Sequence, residues 1–270
     1  MTALSASSPA SNDQAAAATA TTKVLEVCLS PGCLADGAEG LMLKLKALAA
    51  PNSGCEIAPG VCCSLCGNGP VAIDPSTGKK HRRITTDDKI LGLLFGGGGG
   101  GDESDPRRSA ILEGVNACLE GDEDLRRNNH RGAIRHYARG LAAGMNPAIE
   151  LASGGASSLE WVVHALCGEA EAKLGTSDTE GAVLSAGTAY QLSGKTSMKS
   201  LEVLREAYET KGDDPRKELE VLEALTGLYE DEEERQAKLP RPKRKRLSPM
   251  EANKRRTLGF RLDTLRSTLQ

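Results

Sequence analysis

The chain has 270 residues, a formal net charge of −3 and only 3% aromatic residues, with one Trp and two Phe. That length suits two small domains or one large one. So few aromatics leave Leu, Val, Ile and Ala to build the core, which favours helices packed through small residues over a β-sandwich. No apolar run approaches the ~20 residues of a membrane helix, so a soluble protein with no membrane contact is expected.

Residues 1–22 are mostly Ala, Ser and Thr. They lack the apolar core of a secretory signal and the Arg of an organellar transit peptide. A disordered tail is expected, with an atypical or trimmed transit peptide as the alternative. KVLEV, from Lys23 to Val27, reads as a strand ending at Cys28, followed by a Ser30-Pro31-Gly32 turn and Cys33. Between 38 and 50, Leu41, Met42, Leu45, Leu48 and Ala49 recur on one face of a helix, with Lys44 and Lys46 off that stripe. Pro51-Asn52-Ser53-Gly54 ends it, and Cys55-Glu56-Ile57 can form a short buried strand. Val71-Ala72-Ile73 and residues 79–84 read as a hairpin about Pro75-Ser76-Thr77-Gly78. Thr85 or Thr86 can cap a last helix running to Phe95, with Asp87 and Asp88 in its first turn. The order β-α-β, β-β-α is a thioredoxin-like arrangement. Six consecutive glycines, 96–101, and the polar stretch to Pro106 then mark a boundary. About eleven such residues span roughly 17–20 Å, so the flanking domains can touch without being fixed.

Beyond 109 the pattern is helical. Leu112, Val115 and Leu119 form one stripe, and Ala133, Ile134, Tyr137 and Leu141 a second after Asn128-Asn129. Further helices are expected over 161–174, 182–192, 201–208 and 219–229, making three antiparallel pairs. Arg241 to Arg246, with Lys254-Arg255-Arg256, forms a basic patch after the acidic run Glu230 to Glu234. It is read as a solvated tail that can fold on the acidic run, with nuclear import or nucleic-acid contact as the alternative. Nucleic acid is not expected, because no aromatics interleave the basic residues.

Six of the eight cysteines, Cys28, Cys33, Cys55, Cys62, Cys63 and Cys66, fall between 28 and 66. Nothing marks the chain as secreted, so this density points to metal ligands rather than disulfides. The strongest pattern is C-x4-C at Cys28 and Cys33 with C-x3-C at Cys62 and Cys66, followed by Gly67-Asn68-Gly69-Pro70. Four thiolates are what a [2Fe-2S] cluster requires. Gly32, Gly67 and Gly69 allow backbone N–H groups to turn toward the sulfurs. Structural zinc also accepts four thiolates, but its usual C-x2-C knuckle occurs only at Cys63 and Cys66. Buried cysteines without metal, and thiol–disulfide exchange, are weaker readings. Cys118 and Cys167 read as small buried side chains. His81, His130, His136 and His164 show no ligand spacing and no nucleophile partner, so no enzyme and no small-molecule substrate are expected. They are placed on exposed strand or helix faces.

VCLSPGC (Val27 to Cys33), CCSLCGNGP (Cys62 to Pro70) and the strand, hairpin and helix that follow resemble the thioredoxin-like [2Fe-2S] ferredoxins, over about 24–95. That resemblance implies Cys28, Cys33, Cys62 and Cys66 as cluster ligands. Cys63 is the departure: it opens a C-x2-C pairing with Cys66 and leaves Cys62 or Cys63 as the third ligand. Cys55 falls at a strand position and is assigned to the core. The spacing G-x11-A-x3-Y at Gly121, Ala133 and Tyr137 is that of packing positions in a tetratricopeptide repeat, whose period is 34. Ala170, Ala182, Ala186 and Ala189 offer a second unit, offset by a Gly/Ser/Pro-bearing insertion over 144–158. The third, with Ala207, is a weaker match. The region resembles three degenerate tetratricopeptide repeats, and some plant and algal proteins are similar overall.

The expected fold is therefore an α+β thioredoxin-like N-terminal domain plus an all-α, tetratricopeptide-like C-terminal domain. Its parts are 1–22 (tail), 23–95 (ferredoxin domain), 96–108 (linker), 109–235 (repeats) and 236–270 (basic tail). The expected function is an electron carrier or redox sensor docked to a protein partner by the repeats. A scaffold or assembly factor with a purely structural metal is the alternative. The inner face of the repeats is expected to include Asn116, Glu120, His164 and Arg205. The family resemblance suggests a plastid location, and the basic run suggests cytoplasm or nucleus.

Overall fold

The structure is a computed structural model that describes residues 23–49, 55–65, 67–95, 105–152, 159–240 and 248–269. The expected tail over 1–22, the 51–54 turn, Cys66, the glycine run and the basic run 241–246 lie outside the described residues. So does the 153–158 part of the insertion.

A four-stranded mixed sheet occupies the N-terminal region, followed by helices. The strands are β1 (Lys23–Cys28), β2 (Cys55–Gly60), β3 (Ala72–Asp74) and β4 (Lys79–His81), in spatial order β2-β1-β3-β4. β1 alternates, with Leu25 and Val27 buried beneath the sheet and Lys23, Val24 and Glu26 only half-buried. β2 runs parallel to β1, and the register pairs Lys23 with Cys55 and Cys28 with Gly60. Pro59 lies on this outermost strand, where a missing N–H costs no ladder bond on the open side. The expected buried strand at Cys55 is thus an edge strand and only half-buried. β3 is antiparallel to both β1 and β4.

Between β1 and β2 lie α1 (Pro31–Ala35) and α2 (Ala38–Leu48). The expected turn at Ser30-Pro31-Gly32 is the start of α1. Proline at the first helical position lacks only an N–H that would have no partner there. α2 buries Leu41, Leu45 and Leu48, the stripe read from the sequence. α3 (Asp87–Phe95) closes the region, and Lys23 donates from its Nζ to the Leu93 carbonyl at 3.1 Å, tying β1 to the end of α3.

The helices that follow are α4 (Pro106–Arg126), α5 (His130–Leu151), α6 (Glu160–Gly175), α7 (Thr179–Leu192), α8 (Met198–Lys211), α9 (Pro215–Lys238) and α10 (Pro249–Leu269). Asp105, Asn129, Asp178, Ser197 and Asp214 cap α4, α5, α7, α8 and α9 by accepting from free N–H groups of the first turn. Each helix contacts its successor, and α6 also contacts α4 and α8, so the first helices of successive pairs form one inner layer.

Two aromatic side chains anchor this region, Trp161 and Tyr137, both fully buried. Around them the helices close on glycine. A Cβ at Gly140 would lie 2.6 Å from the Gly114 carbonyl oxygen, and one at Gly121 would lie 2.8 Å from the Tyr137 ring. The G-x11-A-x3-Y spacing is therefore a packing contact between α4 and α5.

The segment expected as a basic tail contains α10, a helix laid against α9. Leu258, Leu262 and Leu265 are buried at helical spacing. Arg261 makes a two-pronged pair with the buried Glu218, at 2.8 and 3.0 Å. Arg255 stacks over the Tyr229 ring and pairs with Glu233 of the acidic run, whereas Lys254 pairs with Glu202.

The two regions meet through α2. Its second face touches α4 and α6. A Cβ at Gly40 would lie 3.1 Å from Leu119, Lys46 donates to Glu160 at 2.8 Å, and Asn116 donates to Asp87 at 3.0 Å. Arg108 stacks over Phe95 at 3.7 Å. Buried residues of the sheet region and of α4 to α7 form one continuous apolar cluster.

Candidate metal centre

Cys28 ends β1, at the edge where the chain leaves the sheet, and its amide donates to the Val71 carbonyl at 3.0 Å. Cys33 lies on α1, and both thiols are buried. The Ser30 hydroxyl lies 3.3 Å from the Cys28 sulfur. Burial pushes the Cys28 thiol up. Polar neighbours, the Ser30 hydroxyl first among them, favour the thiolate; they outweigh burial and bring it to about 7. Cys33 goes the other way: burial, its hydrogen bond to Cys28 and the neighbouring Cys28 and Cys63 charges raise it. The site is thus asymmetric, with Cys28 the readier thiolate.

The second cysteine loop is held over this pair by its own backbone. Arg83 donates to the Asn68 carbonyl at 3.2 Å and Ile84 to the Pro70 carbonyl at 3.3 Å, so the segment after β4 props the glycine turn. Gly67 has a φ of +82°, which a side chain would strain. Gly69 approaches α1 so closely that a Cβ would lie 2.8 Å from an Asp36 carboxylate oxygen and 3.3 Å from the Cys33 Cα. The glycines read from the sequence thus permit close approach of this loop to the Cys33 helix.

The expected ligands are placed unequally. Cys28 and Cys33 are together. Cys62 is exposed on the loop, whereas Cys63 is half-buried and supplies the amide and the charge felt by the pair. Cys66 lies outside the described residues. Cys55 pairs with Lys23, at the opposite end of β1 from Cys28. Five residues of strand put it about 16 Å away, too far to share a metal with Cys28. Thiolate donors grouped beside inward-pointing amides suit either an iron–sulfur cluster or zinc.

Cys118 and Cys167 are buried in α4 and α6, and burial raises both thiols, Cys167 to about 12. The histidines depart from the sequence expectation: His81, His130 and His136 are half-buried and only His164 is exposed. His164 lies 3.0 Å from Asp122 of α4, and these two with Cys118 form a compact group whose ligand atoms lie within 4.8 Å of one another. The sequence contained half of that signal, the i, i+4 spacing of Cys118 and Asp122. The third member is 42 residues away, on another helix.

Of the residues expected on the inner face, His164 lines the space beside α2 and Glu120 is placed elsewhere. Asn116 is turned to the sheet region through Asp87. Glu120 binds His136 and Arg139 of α5 and so does not face the inner layer. Cavities of about 1060 and 590 Å³ flank α2, and His164 and Leu43 line both.

The chain matches no family model, no curated protein and no solved structure. Among the described residues, no helix is long and apolar enough to cross a membrane.

Proposed function

We propose that residues 23–95 are a thioredoxin-like [2Fe-2S] domain and that the chain is an electron carrier or redox sensor, docked to a protein partner by tetratricopeptide-like repeats. The observation that carries this reading is the pairing of buried Cys28 and Cys33 beside the half-buried Cys63, with the Ser30 hydroxyl 3.3 Å from the Cys28 sulfur. Cys28, Cys33, Cys66 and one of Cys62 or Cys63 hold the cluster, which supplies one-electron chemistry when bound. The chain's own part is to bury the two inner thiols, orient amide dipoles toward sulfur and exclude water on the β1 side. The same dipoles favour the reduced, more negative state. The likeness of VCLSPGC and CCSLCGNGP to the ferredoxin family supports iron over other metals, and the successive small residues at Gly121/Ala133/Tyr137 and Ala170/Ala182/Ala186 support the repeat reading.

A structural zinc reading is favoured by one observation, the inward position of Cys63, which would complete a C-x2-C knuckle with Cys66. Metal and sulfide analysis with EPR of protein purified without oxygen separates the two. About two irons and two sulfides per chain, with a signal on reduction, are expected. One zinc and no sulfide would replace the carrier reading with the scaffold.

A further inference from the structure

We propose that Cys118, Asp122 and His164 form a second metal site, distinct from the N-terminal cysteine cluster, that takes a divalent borderline-soft cation of the zinc class. The three side chains come from two helices. Cys118 and Asp122 are one turn apart on α4, so their side chains stand on the same face, and His164 reaches across from α6. All three ligand atoms lie within 4.8 Å of one another, and His164 Nε2 is 3.0 and 3.1 Å from the two Asp122 oxygens. Ligand bonds of ~2.0–2.3 Å in a tetrahedron place donor atoms roughly 3.3–3.8 Å apart, so small side-chain shifts satisfy the geometry. One thiolate, one imidazole and one carboxylate match zinc better than a hard cation, which would call for oxygen alone.

The surroundings fit as well. The Tyr137 hydroxyl donates to Asp122 at 2.6 Å, the kind of outer bond that fixes a carboxylate ligand. The Cys118 sulfur is fully buried and sits beside the Asp122 charge, an arrangement that a cation would relieve. On the other side, Asp122 and His164 line the larger cavity beside α2, together with Glu39 and Arg126. That opening gives the ion an entry path and leaves a fourth position for water. Three protein ligands with one open position is the arrangement of reactive rather than purely structural zinc sites. On binding, the Cys118 S–H bond breaks and its proton leaves to solvent, the proton on His164 Nε2 is lost to solvent or replaced by one on Nδ1, and metal–sulfur and metal–nitrogen bonds form, with no change in oxidation state.

The test keeps this site separate from the N-terminal cysteines. The full chain carrying Cys28→Ser, Cys33→Ser, Cys62→Ser, Cys63→Ser and Cys66→Ser is titrated with Co²⁺. One equivalent should bind with visible d–d bands and thiolate charge transfer, both displaced by Zn²⁺. Adding His164→Ala, at an exposed position, should weaken binding at least tenfold, as should Tyr137→Phe. Absence of a cobalt spectrum in the folded five-cysteine variant overturns the site, as does a spectrum unchanged by His164→Ala. Should that variant not fold, the otherwise unaltered chain and its His164→Ala form are loaded with zinc, gel-filtered and analysed for both metals. One zinc fewer at unchanged iron supports the site, and equal zinc overturns it. Iron content reads the cluster proposal independently.

Discussion

The two halves of the chain bury their side chains in different ways. Residues 23–95 use a short sheet with β1 inside it, covered by aliphatic side chains of α2 and α3, with Cys28 and Cys33 buried at one end. The helical region closes through glycine and alanine around Trp161 and Tyr137, with Leu rows at its C-terminal end. The first half places reactive groups where backbone amides can reach them. The second makes an extended layered surface and carries most of the ion pairs. Scarcity of aromatics leaves a small aliphatic core that includes two thiols in one case and leads to close helix approach in the other.

The sharpest way to break that comparison is to remove the thiols. Cys28→Ser or Cys33→Ser should abolish the visible iron–sulfur absorption, whereas Cys55→Ser, Cys118→Ser and Cys167→Ser should keep it. Cys62→Ser against Cys63→Ser then identifies the third ligand: the inward position of Cys63 predicts that its loss bleaches the protein at least as much. Retained absorption in Cys28→Ser would remove the small domain's claim to a cluster.

In the helical region the largest effect is expected from Trp161→Ala, about 3–5 kcal/mol of destabilisation by denaturant titration, since it empties a fully buried site between α4, α5 and α6. A loss below 1 kcal/mol would mean that the region is not built on that anchor. Arg261→Ala strands the buried Glu218 carboxylate and should cost about 1–3 kcal/mol. The same denaturant midpoint reads it, and no change would detach α10 from the folded unit. Asp105→Ala removes the cap of α4 and should cost about 1 kcal/mol. Its carboxyl is held low chiefly by the Arg107 hydrogen bond, so this increment is fully present above the ordinary carboxylate range and is lost as the pH falls below that range through the lowered value. Equal stability of the variant and the parent at neutral pH would refute the cap. Lys46→Ala, at the exposed Lys46–Glu160 pair between the regions, should change stability by less than about 1 kcal/mol. After proteolysis between 96 and 105 the two fragments should still co-elute, because apolar contacts rather than that pair hold them.

Elements with a clean period were readable from the sequence. β1 alternates, Leu41, Leu45, Leu48 and Ala49 of the α2 stripe are buried while Met42 is half-buried, and Gly121 meets Tyr137. α10 was obscured by charge: the basic residues suggested a solvated tail, although Leu258, Leu262 and Leu265 already stand at helical spacing. α1 was hidden because Pro and Gly signal a turn as readily as a helix start. The use of both faces of α2 was not readable, since Gly40 and Lys46 look like ordinary surface positions until Leu119 and Glu160 are brought to them. At the cysteines the pattern could not say that Cys63 is half-buried while Cys62 is exposed.

The seating of α2 against α4 and α6 has a consequence for competition. The helix belongs to the same chain as the layer it covers, and such intramolecular contacts correspond to roughly millimolar local concentration. That stretch of the inner layer is therefore occupied by the chain itself. An outside ligand must displace α2, and its apparent affinity falls by the fraction of time the surface is bare. Because α2 follows directly on the helix bearing Cys33, whatever moves α1 also changes how often that surface is offered.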